Sequence, residues 1–542
     1  MTDCTDSCDL AELCSRRHWS IYWLIIAASV LVVFGRILTA GLHLGTDAET
    51  PFYSANDRSR WATIRSLGDE GRYEIDYVIE DRKRINWNTI DKVQHVGTDG
   101  ELHFYSSKPT LLPTLISYIY RGIKLVTDWE LETETSTLAR LILMLVNGVP
   151  WLLYLWLLGK ILETVEINDW ARYFIVAVAG FGTFLSTFAV TLNNHLPAAV
   201  CVAATLYCLV RIVNYQDRSW RMFALAGLTA AFAAANELPA LSFLVAVSVV
   251  CAFKSPSQFL IGFLPAAALV VAGFFGTNYL AHNEWRPPYA YRSDGPVVAT
   301  VSGDFTDTLN DGRLPPEFVE QLNDRNLTEP RVSAANWPFT DDPAGQIRWR
   351  VSDLERNVCT ILGNESNNDF QIRAWNNWYD YEGTYWTSDK KSDVDLGQPD
   401  STLYLFHILF GHHGIFSLTP IWLLSLAGMI VLLFRPQLKL RWLAFGALSI
   451  SIVVIAFYAF KVPGHDRNYG GFTSGFRWAF WLAPLWLISM APIADWLGKT
   501  RSGRAVCLLL LVLSGLSAWY SASNPWVHPW LYEIWDLTGL PK

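Results

Sequence analysis

Residues 19–40 read WSIYWLIIAASVLVVFGRILTA, and this stretch decides the class of fold. At 1.5 Å rise per residue a helix of this length covers the ~30 Å hydrocarbon core of a bilayer, so a transmembrane helix is expected here. The stretch is too long for a signal peptide, and no clean small-residue cleavage site follows it, which makes it a retained anchor. Ten further apolar stretches follow, near 137–160, 171–190, 196–213, 220–235, 238–253, 259–280, 416–434, 442–460, 476–497 and 505–522. The expected fold class is an all-α integral membrane protein of about eleven transmembrane helices.

Basic residues set the expected orientation, because short loops rich in Lys and Arg stay cytoplasmic. Arg16 and Arg17 precede the first stretch. Lys160 with Arg172, Arg211 with Arg218 and Arg221, Lys254, Arg435 with Lys439 and Arg441, and Lys499 with Arg501 and Arg504 then recur at every second connection. The N-terminus is therefore expected inside and the 523–542 tail outside. The chain divides into a cytoplasmic tail (1–18), an N-terminal membrane module (19–280) with a first outside loop (41–136), an outside insertion (281–415), and a C-terminal membrane module (416–522).

Composition agrees: 51% hydrophobic and only 17% charged residues, with 25 Trp, suit many spans with interfacial aromatic belts. A net charge of −8 argues against nucleic acid as a partner. Of eight Cys, Cys4, Cys8 and Cys14 lie in the tail, four lie in spans and Cys359 lies outside, so no disulfide framework is implied. The tail has no partner Cys or His pair at zinc spacing. The insertion carries RPPYAYRSDGP and the Trp-rich 374–386, AWNNWYDYEGTYW, whose aromatics need burial, so it reads as a folded but irregular insertion. No Gly-rich phosphate loop, HExxH or nucleophile elbow is present.

The polar clusters all fall on the outside face. In 56–67, NDRSRWATIRSL, Trp61, Ile64 and Leu67 have helical spacing, which fits a helix lying on the bilayer surface. Lys108-Pro109 precedes a second stretch of interfacial character, 115–126, interrupted by Arg121 and Lys124. Asn193-Asn194-His195-Leu196-Pro197 and Asn236-Glu237-Leu238-Pro239 occupy two outside turns; a carboxylate at a span end is costly and often functional. Later come Gly411-His412-His413-Gly414 and the glycine-rich run from Gly464 to Trp478, with His465, Tyr469, Gly470, Gly471 and Arg477. Glycines let backbone N–H groups approach an anion, and an arginine at the mouth of a span supplies a forked charge.

On Asp57, the run through Leu67, Lys108-Pro109, the Gly411–Gly414 turn and the Tyr469–Arg477 segment, the chain resembles the polyprenyl-phosphate-sugar glycosyltransferases of the GT-C architecture, of the protein O-mannosyltransferase and aminoarabinose transferase group. It departs from their pattern where Arg58 follows Asp57 in place of a second acid and Thr110 follows Pro109 in place of a second proline. The resemblance implies transfer of a sugar from a polyprenyl-phosphate donor to an acceptor, with inversion, on the outside of what is expected to be a bacterial cytoplasmic membrane.

Such a reaction asks for a carboxylate as general base, for which Asp57 is the choice, and for cations on the departing phosphate, for which Lys108 and Arg477, helped by Arg58 and Arg60, are the choice. Glu237, Asn194, His195, His465 and Tyr469 are candidates for substrate contact. The lipid tail needs a greasy groove open to the bilayer. No metal or other cofactor is required; the partners are the lipid-linked sugar, membrane lipids and an acceptor that is a lipid, a glycan or a protein.

Structural readings stand beside these. Asp57 also suits a helix cap, Lys108 suits snorkelling to headgroups, and Asn194-His195 suits a tight turn. A transporter or flippase of lipid-linked sugars, or an inactive lipid- or protein-binding scaffold of the same architecture, are the competing functions. Neither inverted repeats nor broken helices with charges at the midplane, as a transporter would need, are legible in the sequence.

Overall fold

A computed structural model of the chain describes residues 3–41, 52–81, 85–325, 327–334, 346–353, 356–364, 368–387, 390–435 and 440–540, without the side chains of 3–18, 324 and 364. The tail cysteines Cys4, Cys8 and Cys14, and with them Arg16, Arg17 and Lys439, fall outside the described side chains.

Among the described residues, seven helices are long and apolar enough to cross a membrane: Trp19–Thr39, Thr135–Leu162, Asp169–Phe188, His195–Asn214, Pro256–His282, Arg441–Phe460 and Arg501–Tyr520. Arg477–Ser489 and Ala491–Gly498 make an eighth if their 47° bend is one span. This is the make-up of a membrane protein, but the count is seven or eight rather than eleven. The other expected crossings exist as shorter helices, Trp220–Asn236, Leu238–Lys254 and Trp422–Phe434. At 1.5 Å per residue they reach about 20–25 Å, short of a ~30 Å core. Prolines and a carboxylate cut them short, at Glu237-Leu238-Pro239 and at Thr419-Pro420. The bend at Met490 is a broken helix that the sequence did not announce.

Small residues set the helix spacing. A Cβ on Gly428 would overlap the Ser489 backbone, and one on Gly227 would overlap that of Phe263, so these helix pairs touch backbone to backbone. A π-helical turn at Met144–Gly148 rotates Asn147 inward. Its amide donates to the Ala189 and Thr191 carbonyls (2.9 and 2.8 Å) and fixes the turn that carries Thr191.

The bundle has two chemically different ends. At one, Arg36 donates to the carbonyls of Ser186 and Ala522 (both 3.1 Å), so the ends of three helices meet there. Asn168 bonds Asp495, Asn214 accepts from Trp442, and Arg504 lies over Trp170 at the other. The motifs at 191–195 belong to the first end, and the basic connections at 160–172 and 499–504, with Arg435 and Arg441, belong to the second.

The expectation of an all-α protein with an irregular insertion is corrected by two antiparallel sheets. Lys92–Val96 (β1) and Leu102–Ser106 (β2) form a hairpin in the first loop. The insertion contains Val297–Ser302 (β3), Arg331–Ala334 (β4), Gln346–Ser352 (β5), Asn357–Asn364 (β6) and Asp369–Ala374 (β7), paired in the order β3-β7-β6-β5-β4. Trp349, Ile361 and Ile372 align across three strands and bury one face against Leu309, Phe318 and Leu322. Arg350, Thr360 and Arg373 align on the opposite face. Within this polar face Arg348 is buried and holds Asp294 in a two-pronged pair (2.9 and 2.7 Å) and Asp380 (2.7 Å). The Trp-rich stretch ties the sheet to the first loop: the Trp378 carbonyl accepts from Gln94 N (2.8 Å), and Trp386 Nε1 donates to the Ile90 carbonyl (2.9 Å).

The helix Ala55–Asp69 does not lie on the bilayer surface. Eleven of its residues, from Asn56 to Leu67, are buried, among them Asp57, Arg60 and Arg65. Polar groups on its other faces have partners inside the protein, which is why apolar periodicity alone misplaces it. Leu111–Thr127 is amphipathic, with Tyr120 fully buried on one side and Leu125 and Val126 exposed on the other.

Candidate functional site

Four segments bring five of the sequence candidates together. Arg60 lies in the helix Ala55–Asp69, Asn194 and His195 open the helix His195–Asn214, Glu237 ends the helix Trp220–Asn236, and Arg477 starts the turn Arg477–Leu482. Arg60 Nη2 donates to Asn194 Oδ1 (2.9 Å), and Asn194 Nδ2 donates to Glu237 Oε1 (2.7 Å). Glu237 also meets His195 Nδ1, and Arg477 Nη1 lies 3.2 Å from His195 Nε2. A guanidinium only donates, so Nε2 must accept; Nδ1 then carries the proton toward Glu237, and His195 is a neutral ring held in one tautomer.

Arg477 is placed by backbone geometry. Gly470 has φ +106°, a region that side chains rarely enter, and its carbonyl accepts from Arg477 Nε (2.8 Å). A Cβ on Gly470 would overlap the Arg477 side chain, so the glycine serves both conformation and space. The guanidinium also rests on the Trp526 ring, 4.9 Å from its centroid.

Lys108 joins through a residue that the sequence reading passed over. Its Nζ lies 2.9 Å from Asp91 Oδ2. Ser59 Oγ donates to the Asp91 carbonyl (2.6 Å), which docks the hairpin on the same helix that carries Arg60. Thr98-Asp99-Gly100 between two alternating strands was a hairpin signal that would have set Asp91 beside Ser107 and hence near Lys108. Burial lowers Lys108 to about 8, with Asp91 opposing and Arg60 and Arg477 assisting the shift. Burial and the nearby Arg477 likewise bring Arg60 down to about 10.

Asp57, expected as general base, has a structural part. Its two oxygens accept from Tyr53 N (3.0 Å), Ser54 N (2.9 Å), Ser54 Oγ (3.2 Å) and Thr191 Oγ1 (2.5 Å). Ser54 and Asp57 close a capping box, so Asp57 sits three residues into the helix rather than at its cap. Burial raises its pKa, partly offset by the Thr191 and Ser54 bonds. An oxygen pair already accepting from four donors and sealed from solvent is poorly placed to take a proton from an incoming hydroxyl.

Three other candidates stand apart from the cluster. Arg58 donates to the Asn88 carbonyl (2.9 Å), because two residues along a helix turn it away from Arg60. Tyr469 is buried and stacked on His413 (4.1 Å) and Tyr404 (5.3 Å). His465 pairs with Asp466 (3.3 Å), which in turn meets Arg292 (3.2 Å). Among the described residues no group of three His, Cys, Asp or Glu stands where it would hold a metal ion.

The cluster thus contains three cations, Arg60, Lys108 and Arg477, and two buried carboxylates, Asp91 paired with Lys108 and Glu237 meeting Asn194 and His195. Among the described residues the hydrogen-bond partners of both guanidiniums are neutral: Asn56 and Asn194 for Arg60, Gly470 and His195 for Arg477. An apolar crevice lined by Phe184, Ile415, Trp422, Phe480 and Trp486 lies beside it, and the Phe480 ring is 6.0 Å from that of His195.

Removing the Asp57 carboxylate is expected to act on stability. Asp57→Ala loses the capping box and leaves two backbone N–H groups unpaired, about 1–3 kcal/mol. Thermal unfolding in detergent would show the lowered midpoint; an unchanged midpoint together with lost turnover would return Asp57 to the role of base.

The sequence matches no protein-family model, and no curated protein matches it.

Proposed function

We propose that this protein is an integral membrane glycosyltransferase of GT-C architecture, which moves a sugar from a polyprenyl-phosphate donor to an acceptor on the non-cytoplasmic face. The observation that carries this reading is the pair Arg60 and Arg477, two enclosed guanidiniums whose hydrogen-bond partners are neutral and which, with Lys108, outnumber the carboxylates Asp91 and Glu237 beside them. An excess of buried positive charge is costly, and an anionic ligand lowers that cost. The neighbouring crevice is apolar but only about 20 Å³ in volume, so it has to open to take a lipid tail, and the basic connections at the opposite end of the bundle support a cytoplasmic N-terminus.

In the proposed reaction the donor phosphate is held by Arg60, Arg477 and Lys108. The acceptor hydroxyl gives its proton to a carboxylate as its oxygen bonds the anomeric carbon; the bond from that carbon to the phosphate oxygen breaks, and the polyprenyl phosphate leaves with the electron pair. Asp91 is the base of choice in place of Asp57: it is the carboxylate beside Lys108 and keeps 13% of its side chain exposed, against 4% for Glu237. Glu237 then fixes His195 and Asn194, which orient the two arginines.

The bent helix Arg477–Ser489 and Ala491–Gly498 is the one feature that favours a transporter. Its break holds Ser489, Met490 and Ala491, all buried and none ionisable, whereas a transported ion or substrate needs a polar site at that depth.

The phosphate role of Lys108 has a pH signature. A lysine that titrates near 8 is charged below that pH and loses its charge above it, while a phosphate ester keeps its charge because its second pKa is about 6. Binding of a fluorescent polyprenyl phosphate in nanodiscs is therefore expected to weaken by about tenfold between about pH 7 and pH 9, and Lys108→Arg to abolish that slope. A slope that persists unchanged in Lys108→Arg removes Lys108 from the phosphate.

A further inference from the structure

The outside insertion has a basic cavity of its own, of about 610 Å³, where the polar face of the five-stranded sheet meets the β1–β2 hairpin. That size lies within the ~300–1,000 Å³ typical of small-molecule sites. Strand pairing assembles it: Arg331 on β4 stands opposite Ser352 on β5, and Arg350 lies two residues before Ser352 on the same face. Arg325 and Arg356 complete a set of four guanidiniums, against which the lining sets, among the described residues, Asp353 and Glu382.

These arginines keep hydrogen-bonding capacity to spare. Arg350 gives Nη1 to Asp380 (3.1 Å), while its Nε is buried without a partner among the described residues. Arg325 is tethered through Nη1 to the Val358 carbonyl (3.3 Å), and Arg356 lies 3.7 Å from Asp353 with most of its side chain exposed. Asp380 does not depend on Arg350, because Arg348 holds it as well. Trp375 and Tyr381 add aromatic surface, and Gln94 and Asn357 add amides. Guanidinium forks match the geometry of a carboxylate or phosphate, and aromatic surface with amides beside it suits a sugar ring with its hydroxyls. Bare electrostatics would need no such aromatic wall.

We propose that this cavity binds a saccharide bearing a carboxylate or phosphate group. The site is distinct from the Arg60–Arg477 cluster and stands whether or not the chain is a transferase.

The test is a calorimetric titration of the full chain in nanodiscs with tetragalacturonate, glucose 6-phosphate, maltotetraose and a tetra-aspartate peptide. Tetragalacturonate, glucose 6-phosphate or both are expected to bind, which tells the carboxylate from the phosphate source, and to bind more weakly as salt rises. Arg331→Gln with Arg356→Gln, both surface changes, is expected to weaken that binding at least about tenfold, and Arg350→Gln similarly. Arg477→Gln is expected to leave it unchanged, which separates a failure here from a failure of the transferase reading. Binding of neither anionic sugar at about 10 mM, equal binding of maltotetraose or tetra-aspartate, or equal binding by the double variant would overturn the proposal.

Discussion

Replacing Arg60 and Arg477 together by glutamine is expected to weaken binding of a polyprenyl phosphate by about 10²–10³-fold, the scale on which removing preorganised charge from an enclosed anion site acts. The chain should still fold. Both side chains donate their hydrogen bonds to neutral groups, and a glutamine amide can satisfy Asn194 or His195 in part. Relief of the repulsion between the two guanidiniums, which contributes to the lowered pKa of Arg60, is expected to leave thermal stability unchanged or slightly raised. Loss of affinity with retained stability is the mark of residues kept for a ligand; a large loss of stability without loss of affinity would make them structural.

Arg348→Met is expected to have the largest effect on stability, about 3–5 kcal/mol confined to the 281–415 insertion. The arginine is 3% exposed and neutralises Asp294 and Asp380, themselves 9% and 1% exposed. Without it Asp294 loses its two-pronged partner, and Asp380 keeps only Arg350. Two buried carboxylates are then left short of a counter-charge, which is the costly way to break a buried ion pair. Hydrogen exchange across residues 346–374, compared with exchange in the membrane helices, measures this directly; equal protection in variant and parent would show that the pair contributes nothing net.

Much of the molecule could be read from residue order. Every apolar stretch became a helix, because a run of Leu, Val, Ala and Phe with few charges has no other way to satisfy its backbone in hydrocarbon. The number of spans was overestimated because hydropathy marks apolar residues without measuring the helix, and Glu237-Leu238-Pro239 and Thr419-Pro420 cut helices below spanning length. The sheet of the insertion was legible in part: Ile347, Trp349 and Val351 alternate with Arg348 and Arg350 at a period of two. That the Arg348 side of the sheet is also covered could not be read, since an alternating strand normally shows its polar face to water.

For the site, motifs at helix ends were the useful signal. Arg60, Asn194, His195, Glu237 and Arg477 come from segments as far apart as positions 60 and 477 and meet because turns at one end of a bundle are neighbours. Asp91 escaped notice because a lone acid in Asn88-Thr89-Ile90-Asp91-Lys92 carries no pattern; only pairing of the β1–β2 hairpin brings it to Lys108. Asp57 drew attention as the acid of the first loop, yet Ser54, three residues earlier, already spelled the capping arrangement.

Native mass spectrometry of the chain purified in mild detergent, beside the Arg60→Gln/Arg477→Gln variant, addresses the phosphate site most directly. An adduct with the mass of a polyprenyl phosphate, with or without its sugar, is expected on the parent and absent from the variant. A parent that carries only ordinary membrane phospholipids after incubation with polyprenyl phosphate, or a variant that keeps the same adduct in the same proportion, would contradict it.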